Sequence, residues 1–277
     1  VVRRPAAFLP GIFYREPEPM SRSVVLVTGG ARRIGRVIAL DLAAAGWNVA
    51  ITYRHSSEEA QDTLRELRRS EGQAEALYAD LSDETGCRAL VPEVVRRFGR
   101  IDAVVNNASV FEYDNAETCG LAAMELHWKA NTAPAILLAQ ALYQHLLDTG
   151  RTGCVVNLLD QKLWNPNPDY FSYTLSKAAL EAATKMLAMA MAPRLRVGGV
   201  APGLALLSGP MNEREFELGQ RLNPLGRSSP PEDIADAVRF LLTFPASTGS
   251  TILVDGGQHL TRQPRDVMFL AREMGAR

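Results

Sequence analysis

Cysteine is scarce in this sequence: three residues in 277, Cys87, Cys119 and Cys154, widely spaced and odd in number. They form neither a metal-ligand spacing nor a disulfide framework, which points to a reducing, cytoplasmic setting. Long apolar runs are also missing, and none approaches the ~20 residues that a membrane span requires. Neither charge is in excess. Thirty Lys and Arg stand against 31 Asp and Glu, for a formal net charge of −1, so no basic surplus drives nucleic-acid binding. The first nineteen residues hold four prolines and three arginines, and Pro5 and Pro10 break their only apolar stretch. A secretory signal needs about 7–15 unbroken apolar residues, so this segment is a poor one. Met20 falls just before the first strand-like run. Residues 1–20 are therefore expected to be a disordered extension, with the native start at Met20.

What is present is regular alternation. From Val24 onward, short apolar runs alternate with helix-like segments, and 47% of residues are hydrophobic. Strands are expected at Val24–Thr28, Asn48–Tyr53, Ala76–Ala79, Asp102–Asn106, Gly153–Leu159, Leu195–Val200 and Thr251–Val254. Helices are expected at Ile34–Ala45, Glu58–Glu71, Asp83–Phe98, Leu121–Leu147, Ser172–Met191 and Pro231–Leu242. Repeated β–α units with apolar strands imply a parallel sheet covered on both faces, here a single α/β, doubly wound, Rossmann-type domain of seven strands over residues 21–262. The tail 263–277 reads either as a partner-contacting arm or as a solvated end.

Tyr173 and Lys177 stand at i and i+4, on one face of a helix. A nearby ammonium favours the phenolate, so Lys177 is expected to draw Tyr173 down toward neutrality and make it a proton carrier. Asp160, thirteen residues before Tyr173, ends an apolar strand and converges on the same pocket. Between strand one and helix one lies Thr28-Gly29-Gly30-Ala31-Arg32-Arg33-Ile34-Gly35, where glycines let the backbone approach a pyrophosphate at a helix N-terminus. An NAD site usually has an acid about 20 residues on. Here the second strand runs into Arg54, His55 and Ser56 with no acid. Arg32 and Arg54 suit a ribose 2′-phosphate and Ser56 can donate to it, which favours NADPH; the alternative is that both arginines are solvated surface charges.

These motifs, in order from Ser23 to Leu260, resemble the short-chain dehydrogenase/reductase family, with Arg33 in place of its middle glycine. The resemblance implies that Gly29, Arg32, Arg33, Ile34 and Gly35 hold cofactor phosphate. Asp80 and Leu81 would contact adenine, and Asn107, Ala108 and Ser109 form the turn after strand four. Pro202 and Gly203 would lie over nicotinamide, Tyr173 and Lys177 would form the active pair, and Asn131 would serve a proton relay. Asn131 can also be read as a satisfied core amide. Dimers or tetramers are implied through the two long central helices.

Most of the family has serine thirteen residues before the tyrosine, to hold a carbonyl oxygen. A carboxylate at that place, Asp160, suits a nitrogen heterocycle, accepting from an aminopyrimidine or passing a proton to a ring nitrogen. The wider pattern resembles the pteridine reductase branch, including dihydromonapterin reductase-like enzymes. In that branch Arg33, Ser109, Phe111, Asp160, Tyr173 and Leu204 would face the pterin, with Phe111 stacking on the ring. Ala205 departs from the branch, which often has serine there. Plainer readings are that Phe111 packs a loop and that Asp160 caps a helix or pairs with Lys162. Tyr170 reads as wall or packing rather than as the acid. The rival functions are a generic carbonyl reductase and a non-catalytic NADPH-binding regulator.

Overall fold

The structure, a computed structural model, describes residues 22–207, 211–227 and 229–275. The segment 1–20 singled out above lies outside the described residues. Seven parallel strands form one sheet: β1 Val24–Val27, β2 Asn48–Tyr53, β3 Ala74–Tyr78, β4 Ala103–Asn106, β5 Gly153–Leu158, β6 Leu195–Pro202 and β7 Thr251–Val254. Their spatial order is 3-2-1-4-5-6-7, so the chain reverses its direction of travel between β1 and β4. The expected seven-stranded doubly wound sheet is present.

Alternate strand residues point to opposite faces, and both faces are apolar. Val25, Val27, Val49, Ile51, Val105 and Val156 pack under α1 (Arg33–Ala44), α2 (Ser57–Leu67) and α8 (Pro231–Thr243). Val24, Leu26, Val104 and Val155 pack under α3 (Glu84–Phe98), α5 (Ala133–Thr149) and α6 (Phe171–Met191). Each fully buried Val, Leu or Ile contributes about 1.5–3 kcal/mol relative to exposure. Local signals set the ends. The Asp83 carboxylate accepts from the backbone N–H groups of Thr85 and Gly86 to start α3, which stops at left-handed Gly99.

The structure departs from the sequence reading in three places. The helix expected over Leu121–Leu147 is split into α4 (Leu121–His127), a wider π-type turn at Trp128–Thr132, and α5. Pro134 lacks an N–H to donate to the carbonyl of Ala130, four residues back, which favours such a break. Second, a helix not expected at all, α7 (Glu213–Gln220), begins with a reciprocal capping box between Asn212 and Glu215. Third, over its described part the 263–277 segment is not simply a solvated end. Val267–Gly275 forms α9, which packs on α7, with Arg272 Nε 2.7 Å from Glu215 Oε1. Among the described residues, no helix is long and apolar enough to cross a membrane.

Candidate active site

The reversal between β1 and β4 opens a crevice at the carboxyl ends of the strands, the usual ligand position in such sheets. Its floor is tightly knit. Thr28 Oγ1 accepts from the backbone N–H groups of Asn107 and Ala108 at 2.9 and 3.0 Å. Asn107 Nδ2 donates back to the Thr28 carbonyl at 2.9 Å. Gly29 is left-handed at φ +63, and a Cβ on Gly35 would lie 2.4 Å from Gly29 O and from Asn107 Nδ2. The first turn of α1 therefore sits directly on the β1 and β4 ends, and its N-terminal N–H groups face the crevice.

The crevice continues into a groove of about 540 Å³, within the range of small-molecule and cofactor sites. Its walls bring together the β1–α1 turn, with Arg32, Arg33 and Ile34; the β2 end, with Arg54, His55 and Ser56; Asp80 and Leu81 after β3; and Ser109 and Phe111 after β4. No acid stands at the β2 end. Ser56 holds the N-cap position of α2 without a side-chain capping bond. The Arg54 guanidinium lies 3.2 Å from Asp80. Asp80 also accepts from Ser82, and those hydrogen bonds hold its carboxyl below the usual range despite some burial.

Arg33 occupies a left-handed backbone, φ 54, where the family pattern has glycine. That conformation costs a side-chain-bearing residue roughly 1 kcal/mol. Its guanidinium donates to Leu207 O at 2.7 Å, across the junction of the groove and a second pocket.

At that junction Tyr173 Oη donates to Asp160 Oδ2 at 2.8 Å, and the backbone N–H of Lys162 donates to Asp160 Oδ1 at 2.8 Å. Asp160 thus both caps the short turn Gln161–Leu163 and meets the phenol. Its ion pair with Lys162, an alternative the sequence left open, does not form: Lys162 Nζ is instead 3.1 Å from Asp266 Oδ2. Burial raises the Asp160 carboxyl above its ordinary value, against hydrogen bonds from Lys162 and Tyr173 that lower it. Lys177 is buried, donates to Leu158 O at 2.7 Å, and is brought down to about 8 by burial. Its Nζ is 5.7 Å from the Tyr173 ring centroid.

The expectation that Lys177 draws Tyr173 toward neutrality is overturned. Burial, and then the adjacent Asp160 carboxylate, push the phenol well above its ordinary value. Asn131 lies buried in the π-type turn. Its Oδ1 accepts from Ser109 Oγ at 3.1 Å and Val110 N at 2.7 Å, and its Nδ2 donates to Ser176 Oγ at 3.0 Å. The side-chain amide fixes the loop after β4 against α6, and its neighbour Ala130 lines the groove wall.

The second pocket takes Gly203 and Leu204 from the β6 end, directly after Pro202, the last residue of the strand. Phe111 stacks on Tyr170, with centroids 4.0 Å apart and planes 14° apart, and meets Tyr173 edge-on. Tyr170 is itself left-handed at φ 54, and its phenol is pushed up to about 12 by burial. The sequence reading had Tyr170 as wall but missed its partner. It also missed Gln161, Lys162, Met211, Gln263 and Asp266, which line this pocket. The Asn212-x-x-Glu215 box and the apolar spacing Val267, Met268, Ala271 were the available signals for α7 and α9.

Residues 29–259 match a family profile described as enoyl-(acyl carrier protein) reductase. The chain is a short-chain dehydrogenase/reductase. It is an oxidoreductase of that family. Among solved structures it is similar to FolM alternative dihydrofolate reductase 1 from Brucella canis complexed with NADP, at 38% identity and TM-score 0.81, covering 88% of this chain and 96% of that one. Pteridine reductase 1 of Leishmania tarentolae is 34% identical over 281 residues, 86% of this chain and 97% of the relative. The 3-oxoacyl-[acyl-carrier-protein] reductase of Synechocystis is 32% identical over 246 residues, 86% and 97% of the two chains. Pteridine and ketoacyl enzymes thus stand at similar distance.

Proposed function

We propose that this short-chain dehydrogenase/reductase uses NADPH to reduce a C=N bond of a pteridine, taking a dihydropterin to a tetrahydropterin. The observation that carries the reading is the Asp160–Tyr173 hydrogen bond of 2.8 Å, with a carboxyl where most of the family has a hydroxyl. The groove fits the cofactor. Left-handed Gly29 and the Cβ-free approach of Gly35 admit a pyrophosphate at the α1 N-terminus, and the acid-free β2 end offers Arg54, with Arg32 and Ser56, to a 2′-phosphate. Asp80 and Leu81 would flank the adenine, Asn107 and Ala108 the ribose side, and Pro202–Gly203 the nicotinamide.

Bound NADPH supplies the hydride that attacks the C=N carbon. The chain supplies the proton that the ring nitrogen takes up, and this runs through the Asp160–Tyr173 pair. Burial raises both groups, and the phenol donates to the carboxyl and orients it. Lys177 holds positive charge behind Tyr173 and would secure the nicotinamide ribose. Phe111, Ser109, Arg33 and Leu204 would position the ring, with the flat face of Phe111 braced from behind by Tyr170.

A carbonyl reductase is the second reading, favoured by the ketoacyl relative. A buried carboxylate opposing a carbonyl oxygen argues against it. The test is NADPH oxidation with dihydrobiopterin, dihydromonapterin and dihydrofolate, beside a ketoacyl thioester. Turnover on a pterin with the thioester inert supports the proposal; turnover on the thioester alone rejects it. Asp160→Ser should lower kcat/KM for the pterin by at least about tenfold; unchanged pterin kinetics would remove the role given to that carboxyl. The reading includes a homodimer or homotetramer, supported by an apolar face on α4, the π-type turn and α6 where Leu121, Trp128 and Leu175 are 73%, 47% and 47% exposed.

A further inference from the structure

Phe111 sits on a stretch of chain that the strands and helices do not hold. Among the described residues, no backbone-to-backbone hydrogen bond involves residues 109–113. The stretch is fastened by side chains instead, and the fastenings fall at alternate positions. Val110 N donates to Asn131 Oδ1 at 2.7 Å, and the Val110 carbonyl accepts from Asn131 Nδ2 at 3.1 Å. Two residues on, the Glu112 N–H donates to His127 Nε2 at 3.3 Å. Two further on, Asp114 Oδ1 accepts from Ser172 N at 3.0 Å, and its Oδ2 accepts from Ser172 Oγ. The residues between carry the rings: Phe111 and Tyr113 both meet Tyr170, with centroids 4.0 and 5.2 Å away.

His127 is 1% exposed and ends α4. Its Nδ1 is 2.9 Å from Ala123 O. A carbonyl only accepts, so Nδ1 carries the proton and Nε2 is left as the acceptor for Glu112. The same ring stands edge-on to Tyr173, with centroids 6.2 Å apart. At the other end of the stretch, α6 starts after left-handed Tyr170, whose side chain makes no capping bond. The buried Asp114 carboxylate fills that place from outside the helix, where negative charge also suits the helix N-terminus. Ser172, which it holds, immediately precedes Tyr173. Neither His127 nor Asp114 lines the groove or the second pocket.

We propose that His127 and Asp114 are positioning residues: by fastening Glu112 and the start of α6, they set the Phe111 ring 4.7 Å from that of Tyr173 and so fix the face that receives the substrate. The inference rests on the pteridine reading above, which supplies the flat ring, and adds two residues that act on it through Phe111.

Amide exchange on the wild-type chain tests the fastening without variant or substrate. The Glu112 amide should be better protected than those of Phe111 and Tyr113, which have no partner among the described residues; equal protection overturns the inference. Kinetics test its purpose. His127→Leu should lower kcat/KM for a dihydropterin by about three- to tenfold, as loss of one hydrogen bond implies, while KM for NADPH stays within about twofold. His127→Gln keeps an acceptor and should recover most of that loss. In a Phe111→Ala background His127→Leu should cost little more, because its effect runs through that ring; a merely structural role would cost the same factor in both backgrounds. Should the leucine variant fail to fold, Asp114→Ala is measured in the same two backgrounds, with Asp114→Asn as the conservative rescue. Equal factors in both backgrounds, or a conservative variant as impaired as the disruptive one, overturn the inference and leave the pteridine reading in place. A wild-type enzyme inert toward dihydropterins overturns both.

Discussion

Tyr173 and Asp160, thirteen residues apart in sequence, share one hydrogen bond of 2.8 Å from phenol to carboxylate. Neither group titrates alone, because the charge on one sets the proton affinity of the other. Tyr173→Phe removes the donor and leaves Asp160 Oδ2 without it. Turnover should fall by about 10²–10⁴-fold, while NADPH binding, measured by fluorescence or calorimetry, is retained. Loss of NADPH binding would assign the phenol a structural role instead.

Lys177 gives a pH signature. Burial brings its ammonium down from 10.5 to about 8, so the lysine loses its charge, and kcat/KM should fall, as pH rises past that value. Asp160 raises the Lys177 value, so Asp160→Asn should move the alkaline limb of the residual activity to lower pH. For stability the sign is opposite to that of a paired lysine. Below about 8 both states hold the proton and the desolvation cost is constant; between about 8 and 10.5 the unfolded chain binds more protons, so this group makes stability rise with pH. A flat rate profile from neutrality to pH ~9 would exclude Lys177 from the rate-limiting steps.

Arg33 exchanges stability for contact. Arg33→Gly relieves a left-handed backbone at φ 54 and removes the guanidinium bridge to Leu207 O. Thermal unfolding should show a variant more stable by roughly 1 kcal/mol, whereas KM for NADPH and for the pterin should both rise. A variant that binds both ligands normally would show that the arginine only closes the pocket mouth.

Arg54 is the sharpest test of cofactor choice. In Arg54→Glu an acid takes the place that an NAD-type site would fill, at the end of β2 and beside Asp80, whose partner it removes. KM for NADPH should rise by about tenfold or more, and the NADPH/NADH preference should shrink or reverse. An unchanged ratio would move 2′-phosphate recognition to Arg32 and Ser56.

Elements whose information is local were legible in the sequence. The β2 and β7 ranges, Asn48–Tyr53 and Thr251–Val254, coincide with their expected bounds because apolar runs there are bracketed by turn residues. The groove was legible for the same reason: its residues sit at strand ends, which the periodicity locates. The second pocket was not. Lys162 meets a partner 104 residues on, and Arg265 reaches back 96 residues to Asp169. Such pairings are decided by packing across the sheet edge, which no spacing rule encodes. The Tyr173 proton affinity failed for a related reason. Sequence gives the i, i+4 cation, whereas burial and the Asp160 contact, which outweigh it, exist only in three dimensions.

The placement of α9 has a consequence for how this protein is made and how it diverges. The wall of the second pocket waits on residues 258–268, near the end of the described chain, while most of the groove is complete with Ser109 and Phe111. During synthesis most of the groove emerges long before the second pocket. Over generations the two can drift apart in the same way: substitutions in 161–170 and 204–268 reshape the second pocket and leave most of the groove intact.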